Sequence, residues 1–398
     1  MNTKQGFFGE RTILVMLALL SAFPPLSTDL YLPALPHVMA LMETSQSLIN
    51  LSLSLFLLFF AIGILIWGPV SEKYGRKPIL LTGLALYIAG SVGCALSVNV
   101  TQLILSRIIQ AFGGGAASAV VTAMVKDMYS GRKRESVLAI VMAMVVVAPV
   151  VAPVMGAWLL KFMPWTTIFW VLTGIGSIAF FASLLLDETL EKRYSGSLIQ
   201  SLGRLAVVLK NPGFSILLSI FSMVPLPMMA FIAASSFVYI QGFGMTESLY
   251  SYYFAFNALG ALAGPLFYIR LSRQIAPDHI ITGGFGLLVI CGIVLDLSGS
   301  ASPIMFALPM LTATVAMSLL RPPTANMLLS QQEGDTGSAA SLINFMALFM
   351  GSIGMFLISL ETENLIPILG LMQIVVGVVC GSLWLLVRSK SFIQRQAG

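Results

Sequence analysis

Long apolar runs separated by short polar segments dominate the chain. Each run is about 20 residues long, the length that a helix needs to cross a hydrocarbon layer roughly 30 Å thick. The pattern therefore predicts transmembrane helices. The twelve predicted spans cover residues 12–35, 47–69, 78–97, 101–125, 136–161 and 166–186, and then 213–241, 248–270, 279–298, 303–328, 336–360 and 364–387.

The composition agrees with a protein that is surrounded mostly by lipid. Of its 398 residues 58% are hydrophobic and only 9% are charged, whereas soluble chains carry roughly 25% charged residues. The net charge of +5 does not indicate a nucleic-acid partner, because the basic residues are spread over short loops instead of forming one face. Two histidines and three separated cysteines form no metal-ligand pattern, so no metal site is expected.

The basic residues predict the orientation of the chain. Nineteen of the 21 fall on the side of the N-terminus. Cytoplasmic loops are enriched in Lys and Arg, so both termini are predicted to be cytoplasmic, in a bacterial inner membrane. The nineteen are Lys4, Arg11, Lys73, Arg76, Lys77, Lys126, Arg132, Lys133, Arg134, Lys192, Arg193, Arg204, Lys210 and, in later loops and the tail, Arg270, Arg273, Arg321, Arg388, Lys390 and Arg395.

The longest polar interruption divides the chain into two halves. Residues 187–212 separate residues 1–186 from residues 213–398, and each half holds six predicted spans. Within this linker, apolar residues recur at helical spacing between Ser201 and Lys210, which predicts a helix along the membrane surface. Gly68-Pro69 ends the second span and Gly264-Pro265 ends the eighth. Two six-helix halves related by a repeat are typical of alternating-access transporters.

The loop after the second span carries the first recognisable motif. It reads Gly68-Pro-Val-Ser-Glu72-Lys-Tyr-Gly75-Arg76-Lys77-Pro78. Gly68 permits a close helix contact, Gly75 permits a turn with positive φ, and Arg76 and Lys77 offer charges to acidic partners. The motif resembles the cytoplasmic signature of the major facilitator superfamily, with Glu72 where Asp is usual. The resemblance implies that Glu72, Arg76 and Asp127 form a gating charge network; a solvated surface cluster is the alternative.

Two further motifs lie in the fourth and fifth spans. They read Arg107-Ile-Ile-Gln110-Ala-Phe-Gly113 and Ala148-Pro149-Val-Val-Ala152-Pro153-Val-Met-Gly156. The first resembles R-x-x-Q-G-x-G of the same superfamily, and the second resembles its glycine–proline antiporter motif. Small residues four apart let helices approach closely, and prolines kink a helix. Such packing also occurs in membrane proteins that transport nothing.

The end of the first span carries the most specific motif. Ser27-Thr-Asp29-Leu-Tyr31-Leu-Pro33-Ala-Leu-Pro36 is similar to the D-x-Y-L-P-A-L-P stretch of the Bcr/CflA drug-resistance subfamily. This resemblance implies an all-helical major facilitator fold with twelve helices in two pseudo-symmetric halves. It also implies a monomer, without a cofactor, that exports small, mostly apolar drugs in exchange for protons. Export of an endogenous metabolite, such as a siderophore, is the alternative.

Two ionisable residues stand clear of the span ends, Asp29 and Arg107. Charges inside a span are costly and are functional candidates by default. Burial favours the neutral form of a carboxyl group, whereas a nearby cation favours its ionised form. Asp29, with Arg107 near it, is therefore predicted to be the proton carrier, able to bind and to release a proton. The alternatives are that Asp29 is a helix-end charge at the periplasmic surface and that Arg107 is a structural pairing residue.

A site for apolar molecules needs an aromatic cavity with few polar anchors. Aromatic residues at span ends also form interfacial belts, so each candidate has that second interpretation. The candidate substrate-binding residues are Tyr31, Phe237, Tyr239, Gln241, Tyr253 and Asn257.

Three other classes of membrane protein fit less well. An ATP-driven pump needs the motif G-x-x-x-x-G-K-[ST], which the chain lacks. A membrane enzyme needs clustered nucleophiles, bases or metal ligands, and the two histidines are far apart. Proline-rich and glycine-rich spans in two sets of six fit an alternating-access transporter better than a channel.

Overall fold

The structure, a computed structural model, describes residues 8–191, 193–194, 198–332, 336–390 and 393. Lys4, Lys192 and Arg395, which contribute to the predicted orientation, lie outside these residues. The first eight helices are α1 Glu10–Ser21, α2 Phe23–Asp29, α3 Leu35–Leu41, α4 Gln46–Tyr74, α5 Arg76–Ala95, α6 Val100–Met128, α7 Gly131–Leu160 and α8 Thr166–Leu184. The next eight are α9 Leu198–Leu209, α10 Pro212–Phe221, α11 Pro225–Ser236, α12 Glu247–Leu271, α13 Pro277–Ser298, α14 Pro303–Ser330, α15 Thr336–Ser359 and α16 Leu365–Val387.

These helices confirm the predicted all-helical membrane architecture. Eleven helices in the described part of the chain are long and apolar enough to cross a membrane, counting Pro212–Gly242 as one. Glu10–Ser21 and Phe23–Leu41 form a twelfth span that is bent by 42°. The helical ends differ from the predicted ones by a few residues, except that the first span continues from residue 35 to Leu41.

Prolines explain why the first span is broken. A proline lacks a backbone N–H and fits best in the first turn of a helix, whereas further along it often kinks or interrupts the helix. Pro24 and Pro25 lie in the first turn of α2, Pro33 lies in a 3₁₀ turn over Leu32–Ala34, and Pro36 lies in the first turn of α3. Each short helix therefore restarts at a proline, and Asp29 is the last residue of α2.

The chain forms two compact units, unit 1 (Met1–Ser201) and unit 2 (Leu202–Gly398). In unit 1, α4 and α5 pack against α6, α5 packs against α8, and α7 packs against α1 and α2. In unit 2, α12 and α13 pack against α14, α13 packs against α16, and α11 packs against α15. Counted as spans, the same pairs recur in both units, so each unit repeats one helical arrangement.

The turn after the second span is shorter than the sequence suggests. α4 continues through Gly68 and Pro69 to Tyr74, and α5 begins at Arg76. Gly75 alone makes the turn, with φ 109°, the positive φ that the sequence predicts. The expectation that Gly68 serves a close helix contact is wrong, because a Cβ there would meet no atom within 4 Å. Gly264 does make such a contact, with Ser318 and Leu319 of α14.

Two other predictions need comment. Arg321 is expected in a cytoplasmic loop, but it lies inside α14, because that helix continues through Pro322 and Pro323. The predicted amphipathic segment forms α9. Its Val208 is buried in the apolar core of unit 2, and the Val208 carbonyl accepts a hydrogen bond from Gln332 Nε2 at 3.2 Å.

Candidate functional site

Arg107 is the most deeply buried charged side chain of unit 1. It lies on α6, with none of its surface exposed. Its Nη1 donates one hydrogen bond of 2.8 Å to the Ser27 carbonyl and another of 2.8 Å to Gln110 Oε1. Nε and Nη2 have no hydrogen-bond partner among the described residues. A buried guanidinium with two uncommitted nitrogen donors is unusual, since buried donors are nearly always paired.

Aromatic rings surround this guanidinium. Its Cζ lies 4.1 Å from the ring centroid of Phe56, 5.5 Å from that of Tyr31 and 5.8 Å from that of Phe169. Aromatic faces attract a cation through their quadrupole, most strongly when the pair is out of water. Tyr31 therefore lies beside Arg107, and its ring also contacts Phe169 at 5.2 Å.

Asp29 lies close to Arg107 without an ion pair between them. Its side chain is buried, with 5% of the residue exposed. The Thr28 hydroxyl donates to Asp29 Oδ1 at 2.9 Å. Ion pairs between described residues include Arg76–Asp127 and Lys133–Glu10, and neither Asp29 nor Arg107 takes part in them. The link is indirect, because Arg107 binds the carbonyl of Ser27, two residues before Asp29.

The position of Asp29 disfavours a charge at the outer helix end. The chain continues beyond it to Leu41, which is about 18 Å further at 1.5 Å per residue. Asp29 therefore lies within its span and before its outer end, and its role as the proton carrier stays a prediction.

Four buried polar residues of unit 1 were not singled out from the sequence. Ser27 Oγ lies 2.7 Å from Tyr87 Oη, and Gln110 Nε2 donates to Ser91 Oγ at 2.8 Å. Asn50 on α4 is fully buried, and neither polar atom of its side chain has a partner among the described residues. A polar residue inside an apolar run could have marked these positions, but single Ser and Asn residues occur in many of the spans.

A second charged group lies at the turn between α4 and α5. Arg76 Nε donates to Asp127 Oδ2 at 2.9 Å, and Arg76 Nη1 donates to Ser71 Oγ at 2.7 Å. Arg76 is 6% exposed, so this ion pair is shielded from water. The structure thus brings together two of the three residues assigned to the gating network.

Glu188, and not Glu72, is the acidic residue that completes this group. The Glu188 carboxylate accepts hydrogen bonds from the backbone N–H groups of Arg76 and Lys77, at 2.9 and 3.3 Å. It therefore caps the N-terminus of α5, where a negative charge is favoured. Glu72 is exposed, and its backbone carbonyl accepts from Tyr194 N at 2.9 Å. Lys77 Nζ donates to the Leu184 carbonyl at 2.9 Å.

We expect Glu188→Gln to lower the melting temperature of the purified protein by about 1–2 °C. The substitution removes a charged acceptor from several backbone donors, a loss of about 1–2 kcal/mol. Glu72→Gln, the matched control, removes an exposed carboxylate from the same turn and should leave the melting temperature within about 0.5 °C. Differential scanning fluorimetry in detergent measures both. Equal shifts for the two variants would contradict the capping role of Glu188.

The small residues of the other motifs lie where helices cross. A Cβ on Gly113 would lie 2.5 Å from the Gly83 carbonyl oxygen of α5. A Cβ on Gly156 would overlap the carbonyl oxygen of Leu30, the residue after Asp29. α7 continues through Pro149 and Pro153 as one helix.

Unit 2 holds the other predicted substrate-binding residues. Tyr239 is 1% exposed, and its ring centroid lies 5.2 Å from that of Tyr253 and 5.1 Å from that of Phe306. Phe237 is buried beside it in a π-helical turn over Phe237–Gly242, a feature frequent at functional sites. Gln241 in the same turn is exposed. The structure thus joins Tyr239 and Tyr253 in one aromatic cluster.

Asn257 of α12 contacts a buried polar residue of α14. Its Oδ1 accepts from Thr314 Oγ1 at 2.9 Å, and its Nδ2 has no described partner. One turn earlier, the Met310 sulfur accepts from Gln373 Nε2 at 3.0 Å. Thr314 and Gln373 are fully buried. Asn257 therefore anchors α12 to α14.

The sequence profile of the Major Facilitator Superfamily matches residues 17–355 of this chain. The chain belongs to that superfamily. It is therefore a multi-pass membrane protein of a transporter family whose substrates are small molecules.

Two curated relatives illustrate the range of similarity. The chain is 30% identical over 378 residues to the "Uncharacterized MFS-type transporter YdgK" of Bacillus subtilis (strain 168), which covers 92% of this chain and 93% of that protein. It is 29% identical over 181 residues to "Multidrug resistance protein MdtL" of Escherichia coli (strain SMS-3-5 / SECEC), which covers 45% of this chain and 46% of that protein. The named drug transporter thus matches less than half of either chain.

Solved structures share the fold at low sequence identity. A crystal structure of the peptide transporter POT in complex with sulfate matches with a TM-score of 0.77 at 15% identity, covering 99% of this chain and 98% of that chain. A D-xylose-proton symporter matches with a TM-score of 0.74 at 13% identity, covering 93% of this chain and 97% of that chain. At these identities the likeness shows the major facilitator fold alone.

Proposed function

We propose that this protein exports small, mostly apolar drugs from the cytoplasm to the periplasm in exchange for protons, by alternating access in a bacterial inner membrane. The observation that carries the proposal is the buried carboxylate of Asp29 beside a buried Arg107 with which it forms no ion pair. The proton gradient is the energy source, so no cofactor takes part. A monomer with both termini in the cytoplasm is sufficient.

The geometry suits a carboxylate that changes its charge during transport. An ionised carboxylate in apolar surroundings is costly unless it is paired, and Thr28 supplies only one hydrogen bond to Asp29. Protonation removes that cost. Deprotonation leaves a charge that the nearby guanidinium stabilises. Because Arg107 keeps Nε and Nη2 uncommitted, it is free to respond to the charge of Asp29.

Proton release from everted vesicles with an acid interior tests this role. Adding chloramphenicol to wild-type vesicles should discharge the gradient, recorded as recovery of acridine-dye fluorescence. Asp29→Asn, which keeps the shape but cannot ionise, should reduce the initial rate to less than about a tenth of wild type. Glu43→Gln is the matched control, because Glu43 is an exposed carboxylate in the turn that follows the same span, and it should release protons as wild type does.

Other outcomes of this experiment have distinct meanings. Equal release by wild type and Asp29→Asn would place the proton site elsewhere, with Glu247, Asp296, Glu361 and Glu363 as the next carboxylates to test. No release from wild type across a panel of drugs would contradict drug export. The alternative, export of an endogenous metabolite such as a siderophore, would then be tested in the same vesicles, and it is kept because the MdtL similarity covers only 45% of this chain.

A further inference from the structure

Arg321 is a charged residue in the interior of a span. It lies about 27 Å from Pro303 along α14, whose 28 residues extend for about 42 Å. A helix of this length exceeds the roughly 30 Å of hydrocarbon, so Arg321 lies near the inner boundary of the apolar layer and well before the helix ends at Ser330. A charge at such a position is a functional candidate.

The face of α14 on which Arg321 lies is otherwise buried. Ile304, Leu308 and Thr312 form the exposed stripe of this helix. At about 100° per residue, Arg321 lies about 140° around the helix from that stripe, between the directions of Thr314 and Met317. Thr314 and Met317 are buried in unit 2.

Arg321 is nevertheless exposed. Its side chain is therefore accessible from a side of α14 other than the exposed stripe. Met317, Thr314 and Met310, which lie one to three turns earlier in the same direction, are buried inside unit 2. The accessible group in this direction is therefore the Arg321 side chain.

No described residue neutralises this charge. The Arg321 guanidinium has neither a hydrogen bond nor an ion pair with a described side chain. The described acidic residues of unit 2 lie at helix ends or in turns: Glu247, Asp278, Asp296, Glu361 and Glu363. Arg76, by contrast, is paired with Asp127.

We propose that Arg321 binds an anionic group, such as a carboxylate, phosphate or sulfonate, on the transported molecule. The guanidinium offers a planar set of N–H donors that matches such groups with two parallel hydrogen bonds. The inference rests on the proposed export function and narrows its substrates to apolar molecules that carry a negative charge. Cationic molecules would be repelled by the charge of Arg321, which no described residue neutralises.

Binding of two fluorescent probes to the purified full-length protein in dodecylmaltoside tests the proposal. Dansylglycine is anionic at neutral pH, and dansylglycinamide carries the same fluorophore without the charge. Wild type should bind dansylglycine at least fivefold more tightly than dansylglycinamide. Arg321→Gln should remove this preference and change the affinity for dansylglycinamide less than twofold, and Arg321→Lys should keep part of it. Arg273→Gln, which removes an exposed charge from the turn after α12, should keep all of it.

Several results would overturn the assignment. They are an unchanged preference in Arg321→Gln, an equal loss of affinity for both probes, and no saturable binding of dansylglycine to wild type. A lipid headgroup could supply the same chemistry. If the preference seen in detergent disappears in nanodiscs of phosphatidylglycerol but persists in phosphatidylcholine, Arg321 holds a lipid and not the transported molecule.

The two proposals fail separately, because probe binding needs no proton gradient. A charge preference that depends on Arg321, without proton release by any drug, would contradict proton-coupled export and leave Arg321 as an anion-binding residue. Proton release that depends on Asp29, without a charge preference, would leave the proposed function standing and remove the role of Arg321.

Discussion

Arg107→Leu is expected to reduce drug-driven proton release at least 50-fold and to change the melting temperature by no more than about 3 °C. The guanidinium makes only two hydrogen bonds and leaves Nε and Nη2 without described partners. Replacing a buried, incompletely satisfied charge by an apolar residue is often neutral for stability. Transport should fail nonetheless, because the charge of Asp29 then has no cation near it.

The same pair of measurements separates a functional Arg107 from a structural one. Removing a structural pairing residue should lower the free energy of unfolding by about 3–5 kcal/mol. The melting temperature would then fall together with the transport rate. Arg107→Lys should also transport poorly, since one ammonium does not reproduce the planar contact with Phe56. Arg132→Leu, an exposed arginine in the first turn of α7, should leave both quantities near wild type.

The spans could be predicted from the sequence because crossing a membrane depends on local composition. Each window of about 20 apolar residues partitions into lipid largely on its own, and the described helices confirm all twelve. The prolines that break the first span and the short apolar stretch that extends it to Leu41 were both visible in the sequence. They were treated as part of one continuous span. The positive φ of Gly75 could be predicted because glycine is the residue that readily adopts it in a turn.

The contacts around the site depend on the tertiary structure and could not be obtained in the same way. Glu188 reaches the backbone of Arg76 across 112 residues, so its capping role could not be derived from its local sequence. Arg321 was counted with the cytoplasmic loops although the predicted span 303–328 already includes it, and α14 continues to Ser330.

The repeated arrangement of the two units identifies a residue that no motif marks. In unit 1, Gly156 of α7 meets the backbone of Leu30, next to the break in the first span. In unit 2, Gly354 of α15 meets the carbonyl oxygen of Leu226 in the same manner, next to the break between α10 and α11. Each unit therefore places a glycine of its fifth helix against the discontinuity of its first.

Gly354→Ala is consequently expected to impair transport as severely as Gly156→Ala, at least 10-fold in the rate of drug-driven proton release. A methyl group at either position overlaps a backbone oxygen, so the two helices must separate. Overpacking of this kind costs about 1–3 kcal/mol, which the melting temperature should register.

Gly174→Ala on α8 is the matched control for both substitutions. A Cβ at Gly174 meets no atom within 4 Å, and alanine is the better helix former by about 1 kcal/mol. This variant should transport as wild type does, with an equal or higher melting temperature. If Gly354→Ala behaves like Gly174→Ala while Gly156→Ala is inactive, the close crossing matters only beside Asp29, and the equivalence of the two units does not extend to their role in transport.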